Sequence, residues 1–160
     1  LGRAIHRGHF RPYSDYDRQV AEEQTSLLGL EAMNTTAVGS LPGSARKRAV
    51  IARALIGEPR ALLLDNPECD LDIASERLLV KALSRYVMEG TRLAVIASGD
   101  LNFLSRTADR IVIMECGDIA EIGDAGILTA ATIKRYFGVD VIVSRNVYSG
   151  KPEIQLFPDT

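Results

Sequence analysis

Apolar and polar positions follow two different periods along the chain, and these periods predict which segments are strands and which are helices. Two short runs are almost continuously apolar, "ALLLD" at 61–65 and "RLAVIAS" at 92–98, and each predicts a strand buried on both faces. The segment between them has apolar positions at helical spacing: Leu79, Ala82, Leu83 and Tyr86. Strand, helix and strand at this length predict a βαβ unit, with parallel strands and a right-handed crossover.

Helical and hairpin patterns lie on either side of this unit. Ser14, with two acids in the following turn, predicts the start of a helix that ends at Gly29. "ARKRAVIARALIG", from Ala45, predicts a second helix whose apolar positions are Val50, Ile51, Ala54 and Leu55. After the unit, "DRIVIMECGDIAEIG" predicts a hairpin, "AGILTAATIKRYFG" a helix in which Phe137 packs, and the last segment a hairpin around Ser149. The predicted fold class is α/β.

Composition and charge narrow the function classes. The chain has 160 residues, 46% of them hydrophobic and 25% charged, which is ordinary for a globular protein. Its net charge of −2 gives no overall field that favours nucleic acid, so we expect no nucleic-acid partner. We also expect no signal peptide and no membrane span, since no apolar run approaches about 18 residues. Cys69 and Cys116 lie far apart, which favours a reducing compartment.

Two small features have both a chemical and a plain interpretation. His6 and His9 could share a metal ion, but the intervening Arg-Gly favours a solvated loop. The basic run 46–48 could contact nucleic acid or phosphate. We predict instead that it forms a solvated helix face, because no aromatic residues are interleaved with it.

The strongest candidate for chemistry is Asp65, at the carboxyl end of the first predicted strand. Ligands of open α/β sheets bind beyond the carboxyl ends of the strands, and an aspartate there is a common Mg²⁺ ligand. A helix cap or a loop hydrogen bond is an equally acceptable role for this residue by itself. The second strand ends in the segment Ser98 to Asp100, so the two ends should lie at the same edge.

The order of segments from Leu41 to Asp72 resembles the nucleotide-binding subunit of ABC transporters. "LPGSA" lies where that family has its signature loop Leu-Ser-Gly-Gly-Gln, "ALLLD" resembles the Walker B strand, "CDLD" the D-loop and "VIASGDL" the switch segment. "LGRAIH" and "YFGVDVIV" resemble the importer branch that serves iron-siderophore, haem and cobalamin uptake. The resemblance implies a P-loop NTPase fold of the ABC type, in which a helical subdomain precedes a parallel-sheet core and C-terminal hairpins. It covers the C-terminal two-thirds of a typical subunit.

This sequence also departs from the family's pattern at the residues that perform hydrolysis. No Walker A motif, GxxxxGK[ST], occurs in the 160 residues. Asn66 lies at the position of the catalytic glutamate and Gly99 at that of the switch histidine, so no catalytic residue is intact. Loss of a general base typically costs about 10²- to 10⁴-fold in rate. Pro42 and Ala45 replace the serine and glutamine of the signature loop, and whether the chain is an enzyme stays open.

Other parts of the family's site are retained. The resemblance implies ATP and Mg²⁺ as cofactors, with Asp65 toward the metal and Gly43, Ser44 and Asp72 toward the nucleotide. Gly43 and Ser44 begin a helix, and helix N-termini bind anions through free N–H groups. Binding of ATP by this chain alone is doubtful without a Walker A loop. In the family, the residues at the positions of Gly43, Ser44 and Asp72 act across a dimer, so the chain could complete a partner's ATP site.

Two functions follow from the resemblance. The first is an ATP-binding-subunit-like component of an importer for iron chelates or related metal complexes, deficient in hydrolysis. The alternative is a non-catalytic module of the same fold that docks a permease or partner subunit. Either would have a membrane permease and a second ATP-binding subunit, identical or different, as partners, at the cytoplasmic face of the membrane. The expected divisions are 1–57, a helical and signature subdomain, 58–125, an α/β core, and 126–160, a C-terminal helix and hairpin.

Without a neighbouring Walker A strand, the strand 61–65 has an open edge and an uncovered apolar face. We therefore expect the isolated 160 residues either to dimerise or to cover that edge by a local rearrangement.

Overall fold

The fold is described from a computed structural model over residues 2–6, 12–88 and 90–157. His9 and the side chain of His6 lie outside the described part, so the proposed histidine pair is not addressed. The helices are α1 (Asp15–Leu27), α2 (Gly43–Ile56), α3 (Ile73–Met88), α4 (Leu101–Thr107) and α5 (Ala130–Phe137). The strands are β1 (Ala61–Asp65), β2 (Leu93–Ala97), β3 (Ile111–Glu115), β4 (Asp118–Gly123), β5 (Val141–Arg145) and β6 (Pro152–Leu156). Short 3-10 turns lie at Gly2–His6, Glu31–Met33, Val38–Ser40 and Ala125–Ile127.

The chain divides into two compact units, one up to Ala97 and one from Ser98 onward. This is a division by packing, whereas the expected divisions after residues 57 and 125 follow the motif order and stay a prediction. No described helix has both the length and the apolar character needed to cross a membrane.

The first unit contains the predicted βαβ arrangement. Strands β1 and β2 pair in parallel, in a register that runs from Ala61 opposite Leu93 to Asp65 opposite Ala97. Helix α3 connects them, and its predicted apolar stripe is fully buried: Leu79, Ala82, Leu83 and Tyr86. The Tyr86 hydroxyl donates a hydrogen bond of 2.9 Å to the Pro59 carbonyl, which fixes the end of α3 beside the chain that enters β1.

Two apolar positions of the predicted helices lie at the periphery of the packing. The side chains of Val50 on α2 and Phe137 on α5 are both about half exposed. Ile51 and Leu55 of α2 are buried as the apolar pattern predicts, and the buried face of that helix also includes Ala45, Ala52 and Ile56.

The second unit consists of two antiparallel hairpins and two short helices. Strand β3 pairs with β4 and β5 with β6. The side chain of Asn102 on α4 forms hydrogen bonds of 2.9 and 2.8 Å with both backbone groups of Ile154, and thereby ties α4 to β6. Helix α4 was not predicted, and the predicted helix 125–138 is divided, because the Thr129 hydroxyl caps α5 at the amide of Thr132.

The prediction that both strands are buried on both faces is wrong, because the outer face of the β1–β2 sheet is open. Leu63, Leu93 and Val95 are largely exposed there. The described residues leave this face uncovered, and the expected dimerisation stays a prediction.

A network of charged groups fastens the first 3-10 turn to α1 and to the segment before β1. The buried Arg3 guanidinium lies 2.8 Å from the Asp17 carboxylate and also pairs with Glu58. Tyr16 donates to Glu58 at 3.1 Å, and Asp17 forms a capping box with Ser14 at the start of α1. The hydrogen bond from Arg3, followed by those from Ser14, holds the pKa of Asp17 well below its usual range.

The depressed pKa of Asp17 gives a pH dependence of stability with a definite sign. Its ionised form stabilises the fold above the unfolded-state pKa, and that stabilisation is lost as the pH falls toward the folded-state pKa. We expect the difference in urea midpoint between the wild type and Asp17→Asn to be constant near neutral pH and to shrink below about pH 4. Asp15→Asn is the control, because its partner Arg18 lies 3.9 Å away and both side chains are exposed. A difference that persists unchanged to about pH 2 would contradict this assignment.

Phe103 of α4 is completely buried, whereas Phe157 after β6 is 55% exposed. Phe103→Ala should lower the free energy of unfolding by about 3–5 kcal/mol, because the cavity adds to the lost transfer free energy. Phe157→Ala should cost a small fraction of that. Urea denaturation of the two variants measures the difference, and equal losses would show that the core of the second unit is placed incorrectly.

Candidate functional site

The carboxyl ends of the two parallel strands meet at one edge of the sheet. Asp65, the last residue of β1, is opposite Ala97, the last residue of β2. The amide of Asn66 donates to the Ala97 carbonyl at 2.8 Å, which extends the pairing by one residue. Asp65 is exposed at this edge, where open parallel sheets bind their ligands.

Asn66 turns the chain at the end of β1 and also contacts the neighbouring carboxylate. Its φ is +42°, in the left-handed region that asparagine tolerates better than most residues. Its side-chain Nδ2 donates to Asp65 Oδ1 at 2.8 Å. The amide therefore orients Asp65 and uses one of its two oxygens, and it offers no group that could accept a proton from water.

Lys47, in the second helical turn of α2, also holds the chain turn at Asn66. Its ammonium donates to the Asn66 carbonyl at 2.8 Å, and the Cys69 amide donates to that carbonyl at 3.3 Å. A backbone carbonyl with a cationic and a neutral donor is strongly fixed. The position of the Asp65 carboxylate thus depends on α2 as well as on the strand.

The N-terminus of α2 lacks a side-chain cap. Pro42 is at the N-cap, where it provides neither a side-chain acceptor nor a backbone N–H. Gly43 is exposed, and a Cβ atom added there would meet no atom within 4 Å. The start of α2 is therefore open at Gly43, and the anion-binding role of Gly43 and Ser44 stays a prediction.

Asp72 lies between two helix N-termini. Its Oδ1 accepts a hydrogen bond of 2.7 Å from the Ser75 amide, so it caps α3. That hydrogen bond, followed by those from the side chains of Ser75 and Ser44, lowers the pKa of Asp72. The contact with Ser44 brings the predicted nucleotide-contacting residues of α2 and of the D-loop position together.

Gly99 belongs to the second unit, two residues beyond the end of β2. Ser98 and Asp100 flank it, and the Asp100 carboxylate caps α4 by accepting from the Phe103 amide at 2.9 Å. A Cβ atom at Gly99 would meet nothing within 4 Å, so the backbone could carry a larger side chain.

The residues at the sheet edge suit a metal ion only in part. Carboxylate oxygen is the ligand that Mg²⁺ prefers, and Asp65 supplies one such group. Within the described ranges no three His, Cys, Asp or Glu side chains cluster in a way that could hold a metal ion. A Mg²⁺ ion bound here would therefore take its remaining ligands from nucleotide phosphates, from water or from another polypeptide.

Residues 46–48 form a solvated helix face only in part, since Arg46 is exposed and Lys47 and Arg48 are partly buried. Arg46 donates to the carbonyls of Gly39 and Leu41 at 3.0 and 3.3 Å. Arg48 donates to the carbonyls of Leu28 and Gly29, the latter at 3.0 Å. Sequence reasoning missed these roles because the acceptors are backbone carbonyls of distant loops. Three consecutive cations on a helix, which project about 100° apart, were the only available signal.

Comparison with known proteins identifies relatives over most of the chain. A phosphonates import ATP-binding protein from Agrobacterium fabrum is 32% identical over 145 residues, which are 88% of this chain and 50% of that protein. An uncharacterized ABC transporter ATP-binding protein from Methanocaldococcus jannaschii is 28% identical over 130 residues, 81% of this chain and 51% of that protein. The chain spans about half the length of these relatives. No protein-family model matches it.

Solved structures show the same fold. A chain from an inward-facing transporter of the metal-chelate ABC type superposes with a TM-score of 0.82 at 22% identity, covering 98% of this chain and 64% of that one. A dimeric ATP-binding cassette with bound ADP and phosphate superposes with a TM-score of 0.64 at 24% identity, covering 75% of this chain and 52% of that one. These similarities show the α/β fold of ABC cassettes, of which this chain has a part.

The bond between Lys47 and Asn66 should be measurable in the turn that it holds. We expect Lys47→Met to speed amide exchange at Cys69 about fivefold, since a charged donor worth about 1 kcal/mol to the exposed turn is lost. Lys81→Met, an exposed lysine on α3, is the matched control and should leave this exchange unchanged. Hydrogen exchange followed by NMR measures the exchange rate of the Cys69 amide in each variant. Equal rates in the two variants would mean that Lys47 does not hold the turn.

Proposed function

Since this chain belongs to the ATP-binding proteins of ABC transporters, we propose that it is a hydrolysis-deficient ATP-binding component of an importer for metal chelates. The observation that carries the proposal is the pair Asp65–Asn66 at the end of β1. The pair keeps a metal-binding carboxylate and puts an amide where the family resemblance has a proton-accepting carboxylate. Binding without hydrolysis is the chemistry that this pair supports.

Each of the chain's own residues has a defined part in this function. Asp65 contributes one oxygen ligand to Mg²⁺, and Asn66 and Lys47 hold that carboxylate in position. Bound ATP with Mg²⁺ supplies the phosphoanhydride bond whose cleavage drives transport in the family. The uncapped start of α2 directs the amides of Gly43 and Ser44 toward a phosphate.

Hydrolysis lacks two groups in this chain. Asn66 has no lone pair basic enough to take a proton from the attacking water, and it already donates its N–H to Asp65. Gly99 has no side chain that could contact the terminal phosphate. Asn66 and Gly99 come from different segments and lack different groups, so neither residue supplies what is missing at the other position.

The choice of a metal-chelate importer rests on two lines of support. The segments "LGRAIH" and "YFGVDVIV" resemble that branch. The metal-chelate type transporter chain also superposes over 98% of this chain with a TM-score of 0.82, compared with 0.65 and 0.64 for two other cassettes. In this proposal the chain acts at the cytoplasmic face of a membrane, with a permease and a second ATP-binding subunit as partners.

A second candidate function is a non-catalytic module that docks a permease or partner subunit. The observation that favours it is that the polar groups of the site bond to each other. Asp65 accepts from Asn66, and Asp72 accepts from Ser75 and Ser44. A site whose polar groups are already hydrogen-bonded to each other gains less binding free energy from a nucleotide than a site whose polar groups are free.

Restoring the carboxylate tests the main proposal. The chain is mixed with an ABC ATP-binding subunit that binds ATP but has its own catalytic glutamate changed to glutamine, so that background turnover is low. We expect MgATP association by calorimetry with no added hydrolysis. The double variant Asn66→Glu, Gly99→His should raise phosphate release by about 10²-fold or more, because a general base is supplied.

Asn66→Gln is the matched control, because it changes the length of the side chain and keeps the amide. It should leave phosphate release at the level of the unmodified chain. Turnover by the unmodified chain equal to that of the double variant would contradict the hydrolysis-deficient assignment. Unchanged MgATP affinity of the partner subunit with and without this chain would favour the docking module instead.

A further inference from the structure

The turn between β5 and β6 presents two neighbouring apolar side chains to solvent. Tyr148 is 96% exposed and Val147 is 88% exposed, so the rest of the hairpin covers almost none of either side chain. Single exposed apolar residues are common on protein surfaces, but two adjacent ones on a projecting turn form a small apolar knob. The segment that carries them, residues 146–151, is the hairpin tip.

The side chain of Asn146 fixes the conformation of the hairpin tip. Its Oδ1 accepts hydrogen bonds from the backbone amides of Tyr148 and Ser149 at 3.0 and 3.1 Å. The backbone closes the turn, because the Gly150 amide donates to the Asn146 carbonyl at 2.8 Å. The Asn146 amide in turn donates to the Lys151 carbonyl at 3.0 Å. A turn that is ordered before it meets a partner loses little conformational entropy on binding, so the two apolar side chains are preorganised for contact.

Two cations lie at the base of the hairpin tip, where the strands end. Arg145, the last residue of β5, donates to the Gly150 carbonyl at 3.3 Å. Lys151 donates to the carbonyl of Arg106, in the last turn of α4, at 3.2 Å. The hairpin contains these two cations and one acid, Glu153, whereas the whole chain has a net charge of −2. The apolar tip is thus flanked by positive charge on a chain that is acidic overall.

The charge and the size of the hairpin tip decide between possible partners. A second copy of the tip would bring like charges together, which is unfavourable. The cytoplasmic loops of membrane proteins are rich in Lys and Arg, so a permease loop would also be repelled. A soluble acidic protein would need a matching pocket, and the two side chains offer it roughly 350 Å², less than half of the about 800 Å² of a stable interface. An anionic lipid surface needs no pocket and supplies negative charge to both cations.

We propose that the hairpin tip contacts an anionic lipid surface. Val147 and Tyr148 enter the interfacial layer of the bilayer, where tyrosine is enriched because its ring is apolar and its hydroxyl polar. Arg145 and Lys151 keep their charged groups at the level of the lipid phosphates. The contact is weak by itself, since two apolar side chains and two cations fall short of what a stable membrane anchor needs.

A weak lipid contact is useful to a chain that is already held at the membrane. The proposed function places this chain at the cytoplasmic face, where the lipid surface is negatively charged, and binds it to a permease. The permease then gives the hairpin tip a high effective concentration at the lipid, so that the two contacts add in affinity. The location of the contact rests on the proposed function, whereas the chemistry of the tip rests on its own residues.

The chain contains no tryptophan, so a single indole can report on the hairpin tip. Tyr148→Trp places the indole at the tip, and Phe157→Trp places it at a half-exposed position beyond the other end of the hairpin. Vesicles of phosphatidylglycerol mixed with phosphatidylcholine are added to each variant at low salt. We expect the emission of Tyr148→Trp to shift to shorter wavelength and to be quenched by brominated lipid. Both effects should be absent for Phe157→Trp and for vesicles of phosphatidylcholine alone.

Cosedimentation with the same vesicles measures the contribution of each group. Val147→Ser should lower the partition coefficient about threefold, whereas Val38→Ser, at a half-exposed valine of the first unit, should leave it unchanged. Arg145→Gln should lower it about fivefold, because a cation at an anionic surface contributes about that factor. Arg18→Gln, at an exposed cation of α1, changes the net charge equally and should have little effect. Circular dichroism checks that each variant folds, and Tyr148→Ser replaces any tip variant that does not.

The outcomes separate the lipid contact from other partners and from the proposed function. No shift for Tyr148→Trp, or equal shifts for the two tryptophan variants, would overturn the lipid contact. The same shift with poly-glutamate in solution would also overturn it, since the tip would then recognise an acidic polypeptide. MgATP association of the chain with an ATP-binding subunit, measured without vesicles, tests the proposed function separately. Vesicle binding without MgATP association supports the lipid contact and counts against the proposed function.

Discussion

Hydrogen bonds from three consecutive cations of α2 to backbone carbonyls hold the first unit together around the candidate site. Arg48 binds the carbonyls at the end of α1, Arg46 those of the turn before α2, and Lys47 that of the turn after β1. Three connecting segments are thereby bonded to a single helix. A cation bonded to a carbonyl also satisfies a group that would otherwise require water or a partner strand.

The acidic groups are also held in position by hydrogen bonds from nearby donors. Asp65 accepts from Asn66, Asp72 from Ser75 and Ser44, and Asp17 from Arg3. Each carboxylate is oriented by a donor close to it, which fixes its geometry before any ligand arrives. The same donors reduce what the carboxylate can give to a ligand. The site is therefore well positioned and chemically restrained, which agrees with nucleotide binding without hydrolysis.

The open face of the apolar strands β1 and β2 limits how much apolar surface the chain buries by itself. Helices α1 to α3 and the inner face of β1–β2 provide a buried core, and they account for the compactness of the first unit. The outer face contributes nothing to that core while it is open to solvent. Covering it would remove apolar surface from water and would therefore stabilise the fold further.

The sequence alone determined the parallel strands, the helix between them and its four buried positions, because each is set by local periodicity. It also determined that Asp65 ends a strand and that an amide follows it. Only the tertiary structure decided that Asn66 donates to Asp65, that Lys47 fixes their turn and that Ser44 reaches Asp72. It likewise left the side chains of Val50 and Phe137 about half exposed. These features depend on contacts between residues distant in sequence, and neither periodicity nor composition carries the distance between such residues.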